Sequence, residues 1–288
     1  MGCAMWQHAS WPGSQVAESS PRGHALQSYA SSFTAVEGNT TFYALPNAAT
    51  AQRWADSVPA DFRFVFKVQR AITHEKRFRS VEEDLAEFLG AVDPLRANLG
   101  PVLLQLPASF GPEQLDLLFS FIDEASSGIE WAVEVRHQGF YGSADERRLN
   151  DELFARGANR VMLDSRALFD GPAQTAGEIE AFRAKPRVPV RAVATAETPV
   201  VRFIGQTNLD SNEPYLQPWV ETTVRWLVQG KNPIVFLHTP DNAEAPELAR
   251  RFYDSVALAL DREYGVVLAP LPPRPDPVSP TLFGEAGT

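Results

Sequence analysis

Residues 131 to 136 read Trp131-Ala132-Val133-Glu134-Val135-Arg136, a run in which bulky apolar side chains alternate with a small residue and two charges. Successive side chains of a strand point to opposite faces, so Trp131, Val133 and Val135 share one face and Ala132, Glu134 and Arg136 the other. Residues 62 to 67, Phe62-Arg63-Phe64-Val65-Phe66-Lys67, repeat the arrangement, with three phenylalanines on one face and Lys67 beside Val65 on the other. The bulky faces suit a layer of helices. The opposite faces then point toward the axis of a closed parallel sheet, and each ends in charge.

Working outward, strands are expected at Met1 to Trp6, Phe33 to Glu37, Phe62 to Val68, Val102 to Gln105, Trp131 to Arg136, Arg160 to Asp164, Val200 to Phe203 and Ile234 to His238. Segments of helical period lie between them: Ala48 to Ser57, Val81 to Ala97, Glu113 to Ala125, Ala144 to Arg156, Tyr215 to Val228 and Ala243 to Leu260. Asn47, Pro112 and Asn242 stand where a helix start favours a cap or a proline. Gly171 to Thr198 carries the weakest pattern, with one short helix at Gly177 to Ala184. The strand ends recur every 29 to 38 residues. An eight-fold barrel needs roughly 31 residues per unit, and open doubly wound sheets usually stop earlier. The expected fold is therefore a single α/β domain, a (β/α)8 TIM-type barrel of parallel strands over residues 1–266. A flexible tail follows over 267–288, where six of the 23 prolines fall.

A net charge of -10 argues against a broad electrostatic footprint for nucleic acid and leaves only a local basic groove. Cys3 is the single cysteine, which excludes a disulfide framework and a thiolate metal cluster and fits a reducing compartment. No apolar run is long enough to cross a bilayer and the first residues do not form a secretory signal, so the expected address is cytoplasmic. A glycine-rich phosphate loop and a Gly-x-Ser-x-Gly elbow are both absent.

The sixth strand pairs Met162 with Asp164 and the seventh Val200 with Arg202, so their inward sets also end in charge. Charges inside a protein are rarely buried unpaired, which implies a polar cluster at the carboxyl mouth of the barrel, where activity is built in this fold. The expected cluster is Glu37, Lys67, His74, Gln105, Glu134, Arg136, Asp164 and Arg202. Loops near the strand ends add Trp11, Asn39, Thr41, Tyr43, Thr73, His137 and Asn242. A purely structural ion network of Glu37, Glu134 and Asp164 with Lys67, Arg136 and Arg202 is the plain alternative.

Several motifs at fitting separations resemble the domain-of-unknown-function-72, or YecE-like, family. They are Val36-Glu37-Gly38-Asn39-Thr40-Thr41-Phe42-Tyr43, Phe66-Lys67 followed by Ile72-Thr73-His74, Leu99 to Pro107, Ala132 to His137, and Val201-Arg202-Phe203-Ile204-Gly205. The likeness runs from about Met1 to Leu260 and implies a TIM-type barrel without an established activity. The chain departs from the family's Gly-Thr-Ser-Gly-Trp-like opening with Gly2-Cys3-Ala4-Met5-Trp6. It also has His238-Thr239-Pro240-Asp241-Asn242 where a pair of asparagines is common.

The residues allow four chemistries. In the first, Lys67, Arg136 and Arg202 bind a small anionic or phosphorylated substrate, with Asn39, Thr41, Tyr43, Gln105 and Asn242 around it. Glu37 or Glu134 is then the base and His74 the acid of a hydrolysis or isomerisation. The second is a divalent metal on Glu37, Glu134, Asp164 and a histidine among His74, His137 and His238, as in phosphoesterases and nucleases. The third is Schiff-base chemistry at Lys67. The fourth is a scaffold that binds a ligand or nucleic acid without turnover, with Trp11, Phe42 and Tyr43 stacking on a ring. The sequence names no cofactor. Ser279-Pro280-Thr281-Leu282-Phe283-Gly284 in the tail has the hydrophobic pair of a sliding-clamp ligand without its leading glutamine.

Overall fold

The structure, a computed structural model, describes residues 1–11, 25–125 and 128–272. Nine strand segments run in parallel: β1 Gly2–Cys3, β2 Ala35–Gly38, β3 Arg63–Phe66, β4 Val102–Gln105, β5 Trp131–Glu134, β6 Asn159–Arg160, β7 Met162–Asp164, β8 Val200–Ile204 and β9 Ile234–His238. They form a curled six-stranded sheet in the order β3-β2-β1-β9-β8-β7 and a three-stranded sheet β4-β5-β6. The expected sixth strand is thus split in two around Val161. Between β3 and the β4 side lie the bridges Phe64 to Leu99 and Lys67 to Leu103. Backbone hydrogen bonds reinforce them, from Gly100 N to Phe64 O at 2.8 Å and from Val68 N to Leu103 O at 3.2 Å.

Alternation along the strands sorts the core into layers. Ala35, Val65, Leu103, Ala132, Val161, Val200, Ile234 and Phe236 pack on the concave side. Val36, Phe64, Phe66, Leu104, Val133, Met162, Val201 and Phe203 belong to the larger cluster under the helices. Each buried apolar side chain of that size contributes about 1.5–3 kcal/mol. Phe64 and Phe66 stack with centroids 5.3 Å apart, and Trp54 lies over Phe66 at 6.0 Å. This layering corrects one expectation. Met162 faces the helices and Val161 the interior, so Asp164, in register with Met162, points outward and not toward the axis.

The helices are α1 Ala25–Ala30, α2 Ala48–Asp56, α3 Glu82–Val92, α4 Leu115–Glu124, α5 Ala144–Ala155, α6 Ala176–Ala184, α7 Glu213–Val228 and α8 Ala245–Tyr264. Asn47 caps α2 by accepting from Thr50 N at 2.8 Å, as its side chain suggested. Thr175 and Glu178 form a capping box at α6. Asn242 does not cap α8. It sits at φ 63° three residues earlier, and Glu244 occupies the cap position. The helix expected from Val81 to Ala97 stops at Val92, because Pro94 lacks an N–H and starts a 3₁₀ turn over Asp93–Asn98. Residues 267–272 do not leave the body freely: Tyr253 Oη donates to Ala269 O at 2.5 Å and Arg250 Nη1 to Pro272 O at 2.7 Å. The remainder of the expected tail, including Ser279 to Gly284, lies outside the described residues. Among the described residues no helix is long and apolar enough to cross a membrane.

Candidate functional site

Above the concave apolar layer, the next inward residues toward the carboxyl ends are Glu37, Lys67, Gln105, Glu134, Arg202 and His238, all buried or nearly so. Arg202 stands at their centre. Its Nε and Nη2 donate to the two Glu37 oxygens at 2.6 and 2.9 Å, and its Nη1 donates to Glu134 Oε2. Lys67 Nζ lies 3.3 Å from Glu37 Oε1. Arg136, two residues beyond Glu134 on the same face, donates to Glu134 Oε1 through Nε at 2.8 Å. The two carboxylates are therefore saturated by three cations.

That pairing decides the protonation states. Burial pushes Glu37 up, but Arg202 and then Lys67 outweigh it and hold the carboxyl well below its usual range. Glu134 is pulled to about 2 by Arg202, Arg136 and Lys67 against the same burial effect. Both are firmly ionised and correspondingly weak as bases. Burial, aided by Arg202 and opposed by Glu37, lowers Lys67 to about 8. Burial likewise lowers His238 to about 4. Its Nε2 is 3.3 Å from Glu37 Oε2, yet among the described residues neither ring nitrogen makes a well-aligned hydrogen bond.

A cleft of about 720 Å³ opens over this cluster. Glu37, Asn39, Tyr43, Lys67, Gln105, Arg136, Arg202 and Asn242, all expected at the mouth, line it. Asn39 donates its amide to Ala4 O at 2.9 Å. Asn242 Oδ1 is buried without a hydrogen-bond partner among the described residues. Tyr43 is 78% exposed at the rim. Trp6 and His238 also line the cleft, and Trp6 meets Trp54 edge-on at 5.1 Å.

Other expected residues lie elsewhere. Thr41 is buried beneath the cleft, donating to Lys67 O at 2.7 Å, where it fixes backbone and not ligand. Asp164 accepts from Arg166 Nη2 and Trp219 Nε1, both at 2.8 Å, on the helix side of β7. His74, in a π-helical turn over Ala71–Glu75, lies against Phe42 at 5.1 Å and shares a 2.8 Å hydrogen bond with Thr73 Oγ1. Burial and then Arg136 lower it to about 4, so near neutrality the ring is uncharged and does not serve as an imidazolium acid. His137 accepts from Gly139 N at 3.0 Å and caps a 3₁₀ turn. Trp11 is buried, its Nε1 bonded to Asn242 O at 3.0 Å.

One lining residue had no signal in the sequence. Lys185 follows α6, in the stretch without clear periodicity, and brings a fourth cation to the cleft. The metal route loses its donor set: among the described residues no three His, Cys, Asp or Glu side chains converge to hold an ion. Arg202 lies between Glu37 and Glu134, and Asp164 faces away.

The family model described as "Protein of unknown function DUF72" matches residues 1–275. The UPF0759 protein YecE of Escherichia coli (strain K12) is 38% identical over 270 residues, covering 93% of this chain and 96% of that protein. The UPF0759 protein YunF of Bacillus subtilis (strain 168) is 26% identical over 157 residues, 52% of this chain and 56% of that one. A crystal structure of a DUF72 family protein from Enterococcus faecalis V583 aligns with TM-score 0.69 at 18% identity, covering 94% of this chain and 97% of the other. One from Thermotoga maritima MSB8 aligns with TM-score 0.64 at 22% identity, covering 88% and 96%.

Proposed function

The chain belongs to the DUF72 family of proteins of unknown function, and from that premise and the charge at the mouth we propose an enzyme that acts on a small anionic or phosphorylated substrate by acid–base chemistry. The observation that carries this reading is the excess of positive charge: Lys67, Arg136, Lys185 and Arg202 line a cleft whose carboxylates, Glu37 and Glu134, already have partners. A concave site with a surplus of cations recognises an anion. Arg202 and the glutamates form its rigid floor. Arg136 has a side chain 21% exposed and engages Glu134 through Nε and Nη2, which leaves Nη1 for the ligand. Lys67 is the mouth residue whose pKa, about 8, lies closest to a working pH, so it takes the part of proton carrier that the sequence offered to Glu37, Glu134 and His74.

The reading takes the two sheets as one closed (β/α)8 ring in a cytoplasmic protein. The bridges from β3 toward β4 support closure, as does the single residue between β6 and β7. The free, buried Cys3 fits a reducing compartment. Titration calorimetry with a panel of phosphomonoesters and carboxylates tests the site. Binding that weakens at least tenfold in Arg136→Gln supports the reading; no binding, or binding indifferent to that change, sinks it. A loss of turnover in Lys67→Met that exceeds its loss of binding then separates an enzyme from a receptor.

A second reading rests on the same depressed Lys67, whose neutral amine suits condensation with a carbonyl substrate. Borohydride reduction with a carbonyl panel would fix a mass adduct on the wild type and none on Lys67→Met.

A further inference from the structure

Lys185 lines the cleft as a half-buried residue, and its ammonium has no hydrogen bond or ion pair among the described residues. Its position is nevertheless defined. Its own N–H donates to Ala181 O at 2.8 Å and closes α6. The next residue, Pro186, has its carbonyl held by Ser165 Oγ at 2.8 Å. A flexible lysine on a surface would turn its charge to water. This one is held between two backbone anchors over a floor that is already cationic, and burial followed by Arg202 pushes it below its ordinary value.

The charges at the mouth can be followed atom by atom. Glu37 Oε1 faces Arg202 and Lys67, and Glu37 Oε2 faces Arg202 and His238. Glu134 Oε1 faces Arg136 and Oε2 faces Arg202. Three cations on two carboxylates leave one positive charge uncompensated, and Lys185 adds a second. We propose that the ligand of this cleft is a dianion, of the phosphate-monoester class, and that Lys185 is the specificity-determining residue that meets its second charge. The proposal rests on the anion reading above and narrows it. A monoanion of the same shape would leave one cation unneutralised in a partly desolvated cleft, which disfavours it.

Phenyl phosphate and phenyl sulfate make the test, since they share shape and ring but carry two and one charges near pH 7.5, the second pKa of a phosphomonoester being about 6. Calorimetry at that pH on the full chain is expected to give at least tenfold tighter binding of the phosphate. In Lys185→Met that preference should fall below threefold, with the thermal midpoint unchanged or raised, because the variant removes an unpaired cation. Lys185→Arg should restore the preference. Equal binding of both probes by the wild type overturns the dianion assignment and leaves the anion site standing. A full preference in Lys185→Met overturns the role of Lys185. Failure of both probes to bind removes the anion reading and this inference with it.

Discussion

Arg202 shows how much of the mouth one side chain can organise. It is 4% exposed and satisfies three of the four carboxylate oxygens of Glu37 and Glu134. Arg202→Met would leave both acids buried with Lys67 and Arg136 as their remaining cations. Breaking a buried pair in this way typically destabilises by about 3–5 kcal/mol, which urea unfolding would read directly. The pH dependence follows with its sign. Both glutamates have folded pKa values below the ordinary carboxylate value, so their contribution is present above about pH 4.5 and is lost as pH falls toward 2. Lys67 acts oppositely: its folded value of about 8 lies below the ordinary 10.5, so its penalty is full below pH 8 and is relieved as pH rises toward 10.5. Unfolding midpoints from pH 2 to 10.5 should therefore fall on the acid side in the wild type and flatten there in Arg202→Met. Much of this was legible, because alternation in residues 62–67 and 131–136 placed Lys67, Glu134 and Arg136 inward. Asp164 was misplaced for want of the same rule: bulky Met162 belongs with the helices, as Phe64 and Phe66 do, and carries Asp164 outward with it. Lys185 gave no periodic signal, since an anchor such as Ser165 to Pro186 is a tertiary contact.

At the scale of elements, the two-residue β1 bears a tight constraint. Gly2 and Cys3 alone join β2 to β9, with Gly2 opposite Ala35 on one side and Phe236 on the other. Tyr29 Oη locks this join by accepting from Cys3 N at 2.6 Å and donating to Ala35 O at 2.9 Å. A Cβ on Gly2 would stand 1.7 Å from Ala35 O and 2.7 Å from Tyr29 Oη, so backbone must move. Gly2→Ala is expected to destabilise by about 3 kcal/mol or more, the upper range for overpacking. Gly90, in the exposed face of α3, has nothing within 4 Å of its would-be Cβ. Gly90→Ala should stabilise by about 1 kcal/mol through helix propensity, and urea midpoints moving in opposite directions for the two variants would check the pair. The sequence located all eight strand regions because each is a short apolar run between breakers. It overextended Met1 to Trp6, since only a close approach between backbones reveals where pairing ends. The six-residue α1 was invisible to it, being too short for a helical period to register.

For the whole molecule, the site depends on the seam between β3 and β4. A chain of net charge -10 gathers four cations in one cleft, a distribution that disfavours extended polyanions and that the proposed function reads as a place for a small anion. Lys67 lies on that seam, bridged to Leu103, and Gln105 ends β4 two residues farther along. A seam that opened would carry Lys67 away from Glu37 and disperse the charge that the ligand is proposed to meet. The proposed closure of the two sheets into one ring therefore makes a prediction about cooperativity. The seam amides, Gly100 to Phe64 O and Val68 to Leu103 O, should open only with the sheet as a whole. Native-state hydrogen exchange should then protect them within about tenfold of the amides in the β8–β9 ladder. Protection far weaker than that ladder's would mean two sheets that open independently, and the floor of the cleft would then be a transient surface unable to hold Lys67 and Arg202 in fixed register.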